Sequence, residues 1–173
     1  ESCQGRHFFS YFLIGFFFFK RILVYNIILW LFGGYMEKEI ETKRLFARRF
    51  TYGDFVDLSS LLKDIEVMYA WEHIFSDEEV KEWIDDNIKR YNESGTGYFA
   101  LIEKDTGKFI GQAGLHYSVI DNKKILEVGY IIMKRFWNQG YAYEAVNAFV
   151  DYVFEKMKEK EIYALIRPEN YRS

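Results

Sequence analysis

The sequence predicts an α/β chain of the α+β type: a central mixed, mostly antiparallel sheet flanked by helices. Three observations carry that expectation. Short apolar runs with strand spacing alternate with two amphipathic helical stretches early in the chain and one late. Three consecutive strand-like runs are joined by hairpin signals, which demand antiparallel pairing. No Pro/Gly/Ser linker or internal repeat interrupts the chain after Met36, so its 173 residues hold one domain.

The first strand is "LFARRF", Leu45–Phe50, where the alternation is adequate for a half-buried edge. "TYGDFVDLSSLLKD" follows as a helix, with Thr51 as N-cap and Phe55, Leu58, Leu61 and Leu62 on one face. A second helix begins at Ser76, loads its first turn with Asp77, Glu78 and Glu79, and stops at Gly95. Val80, Trp83, Ile84, Ile88 and Tyr91 form its apolar stripe. "GYFALIEK" and "KFIGQAGLHYSV" are strands joined by "DTG". "IDNKK" then turns into "ILEVGYIIM", Ile125–Met133, in which Gly129 marks a bulge or a close backbone approach. A third helix presents Ala145, Ala148, Phe149, Tyr152, Val153 and Met157 to the core, and "EIYALIRPEN" supplies a last strand. The run "EKMKEKE" is a solvated helix face.

Residues 1–35 differ in kind. They are apolar almost throughout, with Lys20-Arg21 dividing them into two runs, each short of the roughly 20 residues a spanning helix needs. Three readings stand beside one another: upstream translated sequence with initiation at Met36, a membrane or interfacial anchor, and an extra helix packed on the domain. The composition suggests the first and places 36–173 as the domain.

Charge and cysteine content exclude some functions. A formal net charge of −3 offers no global basic field for nucleic acid. Cys3 is the single cysteine and the three histidines are scattered, so neither a thiolate cluster nor a paired-imidazole metal site is expected. A cytoplasmic setting follows from the same lack of disulfides.

The informative segment is "KRFWNQGYAYEA", Lys134–Ala145. Asn138, Gly140 and Ala142 give a permissive turn at a helix start, where converging backbone N–H groups and the helix dipole suit an anion such as a pyrophosphate. It is neither a Walker loop nor G-x-G-x-x-G.

Arg135-x-x-Asn138-x-Gly140-x-Ala142, after a strand containing Glu127 and before an Ala-rich helix, resembles the acyl-CoA motif Q/R-x-x-G-x-G/A of the GNAT N-acetyltransferases. "FWNQGYAYEA" is similar to the branch holding ribosomal-protein N-terminal acetyltransferases and spermidine acetyltransferase. "IETKRL", "FIGQAGL" and "RPEN" extend the likeness from Ile40 to Ser173. Two departures stand out: Asn138 replaces the first motif glycine, and Tyr143 the usual Thr. The family also continues past "RPEN" with a helix and two strands, so the resemblance implies a fold lacking those last elements.

The resemblance implies acetyl-CoA as co-substrate, no metal, and direct attack by an amine in a ternary complex. The acceptor is open among a protein N-terminus, a polyamine and a small-molecule amine. Glu127 is the candidate general base, acting through a water; a solvated strand glutamate is the competing reading. Main-chain groups of Ile131, Ile132 and Met133 would pair with the pantetheine arm. Arg135 and the amides of Asn138, Gln139, Gly140, Tyr141, Ala142 and Tyr143 would hold the pyrophosphate. Asn170 matches a cofactor-contacting Asn of the family, and Ser173 is a candidate to assist the departing thiolate. Tyr69, Trp71 and Glu72 are expected to wall the acceptor side, whereas His116 is expected to be structural. The family often pairs subunits, which raises a homodimer. The rival function is a non-catalytic acyl-CoA-binding or partner-binding module.

Overall fold

The computed structural model describes residues 38–168 and residue 170. Five strands form one sheet in the order β1 (Lys38–Glu41), β2 (Leu45–Arg48), β3 (Gly97–Glu103), β4 (Phe109–Ile120) and β5 (Lys123–Ile132). All four ladders are antiparallel. Parallel pairing enters at a single bridge between Glu127 and Tyr163. The hydrophobic leader, residues 1–35, lies outside the described residues, as does Ser173.

Helices cover both faces. α1 (Phe55–Leu62) and α2 (Asp77–Ser94) pack on one side, where Leu58, Leu61, Leu62, Val80 and Ile84 meet Phe46, Tyr98, Ala100 and Ile131. α3 (Tyr141–Tyr152) lies on the other, with Tyr141, Ala145 and Phe149 against Leu45, Phe99, Leu101, Leu115 and Val128. Two-sided burial explains why "YFALI" in β3 is apolar without alternation: successive residues point to opposite faces, and both faces are dry.

Local chemistry sets the boundaries. Ser76 and Glu79 form a reciprocal capping box at the start of α2, with Glu79 N–H donating to Ser76 Oγ at 3.2 Å and Ser76 N–H to Glu79 Oε2 at 2.7 Å. Gly95 ends that helix in the left-handed region at φ 68°. Asp121 and Asn122 both take positive φ, 49° and 61°, the two-residue turn whose twist suits a hairpin.

Five sequence expectations are corrected. The first expected strand ends at Arg48, and an unexpected strand, β1, precedes it. Thr51 caps a short 3-10 turn, Tyr52–Asp54, rather than α1 itself. Among its described residues "EIYALIRPEN" forms no strand of its own and joins the sheet through the bridge between Tyr163 and Glu127. Gly129 is not a bulge: the β4–β5 register runs without a break from Gly111↔Ile132 to Ile120↔Lys123, and the sheet's irregularities fall instead between Leu101 and Ile102 and near Lys38. Finally, the charged run after Val153 is only partly helical. A π-helical turn, Val153–Met157, finishes α3, and Lys158 closes it at φ 59°.

Candidate active site

The site has two parts, one made of main chain and one of side chains. The main-chain part is the junction between β5 and α3. Lys134–Phe136 makes one 3-10 turn, Asn138 takes φ 58° and Gly140 φ 76°, and α3 then begins without any side-chain cap. The N–H groups of the first helical turn have no intrahelical acceptor, so those of Tyr141, Ala142 and Tyr143 face outward with the positive helix end behind them. Glu144, the acid of that turn, does not compete for the position. Its Oε1 accepts from Arg44 N–H at 2.7 Å and from Thr42 Oγ1 at 2.6 Å, and its Oε2 accepts from Arg44 Nε at 2.6 Å. The side chain of Gln139 folds back to the Arg135 carbonyl at 2.9 Å, and the Gln139 carbonyl accepts from Arg44 Nη1.

The two cations ahead of the loop differ. Lys134 is paired with Glu66 at 2.5 Å, whereas Arg135 is exposed, lies 5.0 Å from the Phe136 ring centroid, and has no carboxylate partner among the described residues. The side chain of Tyr143 is 76% exposed and contributes nothing to the packing. Tyr141 points inward, its hydroxyl donating to Glu103 and its ring lying under Arg44 at 4.2 Å.

A strand edge leads to this loop. Tyr163 N–H donates to the Leu126 carbonyl at 2.9 Å, and Val128 N–H donates to the Tyr163 carbonyl at 2.8 Å. Beyond Val128 that pairing stops. The expectation for Ile131–Met133 is modified here, since the N–H of Met133 is spent on the Ile110 carbonyl at 2.9 Å. Antiparallel alternation turns Ile131 toward β4 as well, leaving Ile132 to face away from β4. The Ile132 carbonyl is already taken by Trp137 Nε1 at 2.6 Å, so its N–H is the group presented.

The side-chain part lies on the α1/α2 face of the same strand. Glu127 is 5% exposed and its Oε1 accepts from the Ser118 hydroxyl. Its cross-strand partner is His116, whose Nε2 stands 3.6 Å from Glu127 Oε2. Burial holds His116 below its ordinary value, with the Glu127 carboxylate pulling the other way. No Lys or Arg among the described residues pairs with Glu127; its one ionisable neighbour is His116, and its burial leaves it little contact with solvent. His116, expected to be structural, stands beside the candidate base. Sequence periodicity could not show this, because the pairing spans a hairpin whose register is fixed by the turn.

An aromatic wall leads from the acceptor loop to this carboxylate. Trp71 packs edge-on against Trp83 at 6.3 Å, Trp83 lies 5.2 Å from Tyr98, and Tyr98 stacks on His116 at 6.1 Å. Trp71 and Tyr69 remain about two-fifths exposed. The rest of the acceptor loop is tied to the end of the chain: the Tyr69 hydroxyl donates to Asn170 Oδ1, and Arg167 pairs with Glu72. A separate open groove of about 560 Å³ lies between Glu41–Arg44 and α3. It shares Gly140, Tyr143 and Glu144 with the helix start and contains none of the Glu127 group.

Comparison with known proteins gives the family. Residues 44–173 match the acetyltransferase (GNAT) domain family. The chain belongs to that family. Its members use acetyl-CoA as acetyl donor to an amine. YkkB of Bacillus subtilis is 36% identical over 65% of this chain and 66% of its own, so the chain spans about two thirds of that relative. YnaD of the same organism, described as an uncharacterized N-acetyltransferase, is 31% identical over 78% of this chain and 76% of its own. A GNAT-family acetyltransferase from Bacillus anthracis has a similar solved structure, with TM-score 0.65 and 27% identity over 76% of this chain and 75% of that one.

The residues present fit this donor: an uncapped helix start, an unpaired arginine beside it and an open strand edge are the features a diphosphate on an extended arm requires. Among the described residues no group of His, Cys, Asp and Glu could hold a metal ion, and no helix is long and apolar enough to cross a membrane.

Proposed function

We propose that this GNAT-family chain acetylates a primary amine by direct attack within a ternary complex, in the cytoplasm, with Glu127 as the base. The observation carrying that reading is the position of Glu127. It is buried, fixed by Ser118, without a Lys or Arg partner among the described residues, and on the strand that leads to the anion-binding turn.

Acetyl-CoA, when bound, supplies an acyl carbon activated by a thiolate leaving group. The chain's residues do the rest. Arg135 and the amides from Asn138 to Tyr143 would hold the diphosphate, while the N–H group of Ile132 would orient the arm along β5. An ammonium cannot attack, so the amine must first lose a proton. Glu127 accepts it through a water, and His116 beside it opens a path outward, being the more exposed of the two. The aromatic run from Trp71 to Tyr98 seats the acceptor and keeps bulk water off the carboxylate. A dry setting of this kind strengthens every hydrogen bond made within it. The link between Tyr69 and Asn170 ties acceptor wall and donor side together, so both substrates meet along one seam.

The test is thiol release from acetyl-CoA against a panel of polyamines, peptides with free N-termini and small amines. Amine-dependent release by the full chain supports the reading. Binding of coenzyme A without release toward any amine would favour a non-catalytic module instead.

A further inference from the structure

On the face of β5 that carries Glu127, the next residue is Gly129, and the space above it is filled from β3. A Cβ built on Gly129 would lie 2.2 Å from Tyr98 Oη and 3.1 Å from Cζ. Tyr98 is 4% exposed, yet its hydroxyl has no hydrogen-bond partner among the described residues. The side-chain atoms that are both sealed from solvent and unpartnered are others, His116 Nδ1 among them, so the Tyr98 hydroxyl borders open space that a ligand can enter.

We propose that Tyr98 is a catalytic hydrogen-bond donor, its hydroxyl aimed over Gly129 at the carbonyl oxygen of the bound thioester. This rests on the acetyltransferase reading above and adds a residue to it. The side chain is held from every direction. Asn87 Oδ1 accepts the Tyr98 N–H at 2.7 Å, the Tyr98 carbonyl accepts from Tyr91, and the ring sits between Trp83 and His116. Burial, with the nearby Glu127 carboxylate, pushes the Tyr98 hydroxyl up to about 12, so it stays protonated and can only donate toward an anion. Arg90 is the other charged group acting on it, in the opposite sense.

As the amine nitrogen bonds to the carbonyl carbon, the C=O electron pair moves onto oxygen, where the Tyr98 O–H stabilises it without giving up its proton. The C=O bond then re-forms, the C–S bond breaks, and the thiolate leaves with that electron pair. The nitrogen's remaining excess proton then passes to Glu127, the proton lost before attack having already left by way of His116. A donor placed where charge develops is worth more than one aimed at the ground state.

The experiment compares the 173-residue chain with Tyr98→Phe, which keeps the ring contacts. In calorimetric titration coenzyme A should bind both alike. A ketone analogue of acetyl-CoA, with methylene in place of sulfur, should bind the variant about 3- to 10-fold more weakly. The ratio of the two affinities within one preparation does not depend on the folded fraction, so lowered stability cannot imitate the result. With acetyl-CoA and a productive amine, kcat should fall on the order of 10²–10³-fold with little change in KM. An unchanged ketone-to-coenzyme ratio, or kcat within about threefold of the parent, overturns the role of Tyr98 and leaves the acetyltransferase reading standing. If the parent chain binds neither coenzyme A nor the ketone, the reading itself falls, and the proposal with it.

Discussion

The turn from Asn138 to Tyr143 and the sheet face around Glu127 lie beyond the end and at the middle of one strand, and on the proposed reading they work by opposite means. The turn acts through backbone N–H groups, so almost any side chain is tolerated there provided the dihedral angles survive. Tyr143 illustrates this, with its ring left in solvent. The sheet face acts through single atoms, a carboxylate oxygen and a phenol hydroxyl, packed so closely that one methyl group does not fit at Gly129. Sensitivity to substitution should therefore follow backbone geometry in one region and side-chain chemistry in the other.

The sharpest contrast comes from Glu127→Gln. It keeps shape and the Ser118 contact but removes the proton acceptor, so kcat should fall on the order of 10²–10⁴-fold while coenzyme A affinity stays within about twofold. Equal losses in both would mean that the carboxylate holds structure rather than accepts a proton. Next in size is Gly129→Ala, which drives a Cβ into Tyr98 and should cost about 1–3 kcal/mol, read as a lowered melting temperature. Adding Tyr98→Phe should restore part of that loss, since the closest clash is with the hydroxyl. Full additivity of the two would break the packing account.

Histidine linkage is a smaller effect. Burial lowers the pKa of His116, so below its ordinary value of 6.5 the unfolded chain binds the proton more readily than the fold does. Stability should then fall as pH drops from 6.5 toward the folded value, and His116→Gln should flatten that slope in chemical denaturation. The smallest effects belong to the turn's side chains. Tyr143→Ala should leave coenzyme A affinity unchanged, and Asn138→Gly should tighten it no more than a few-fold, by relieving a positive φ of 58°. A large loss with Tyr143→Ala would show that this ring, not the main chain beneath it, makes the contact.

The same division explains what could be read from the sequence. The cap at Ser76, the stop at Gly95, the hairpins and the glycine before α3 were legible because each depends on neighbours within a few residues. β1 escaped notice because a four-residue edge strand carries too little periodicity to stand out from a loop. At Gly129 the sequence left a bulge and a close approach open, because a strand glycine does not say what approaches. The occupant, Tyr98, arrives from β3, 31 positions earlier in the chain. Glu127 is a candidate from its place before the motif, but the nearness of His116 and the unpartnered phenol exist only once β3, β4 and β5 are in register. Tyr98 carries no local signal at all: in "GYFALIE" it looks like one more apolar strand residue.

The central claim is that the main chain of this turn grips a diphosphate, and calorimetric titration of coenzyme A into the parent chain and Gly140→Val addresses it most directly. Gly140 has φ 76° and only ordinary contact at 3.6 Å with Arg44 beyond its missing Cβ, so the substitution strains the backbone without filling the site. Left-handed strain of about 1–2 kcal/mol predicts clear binding by the parent chain and roughly tenfold weaker binding by the variant. Equal affinity in the two, or no heat of binding in the parent, would contradict it.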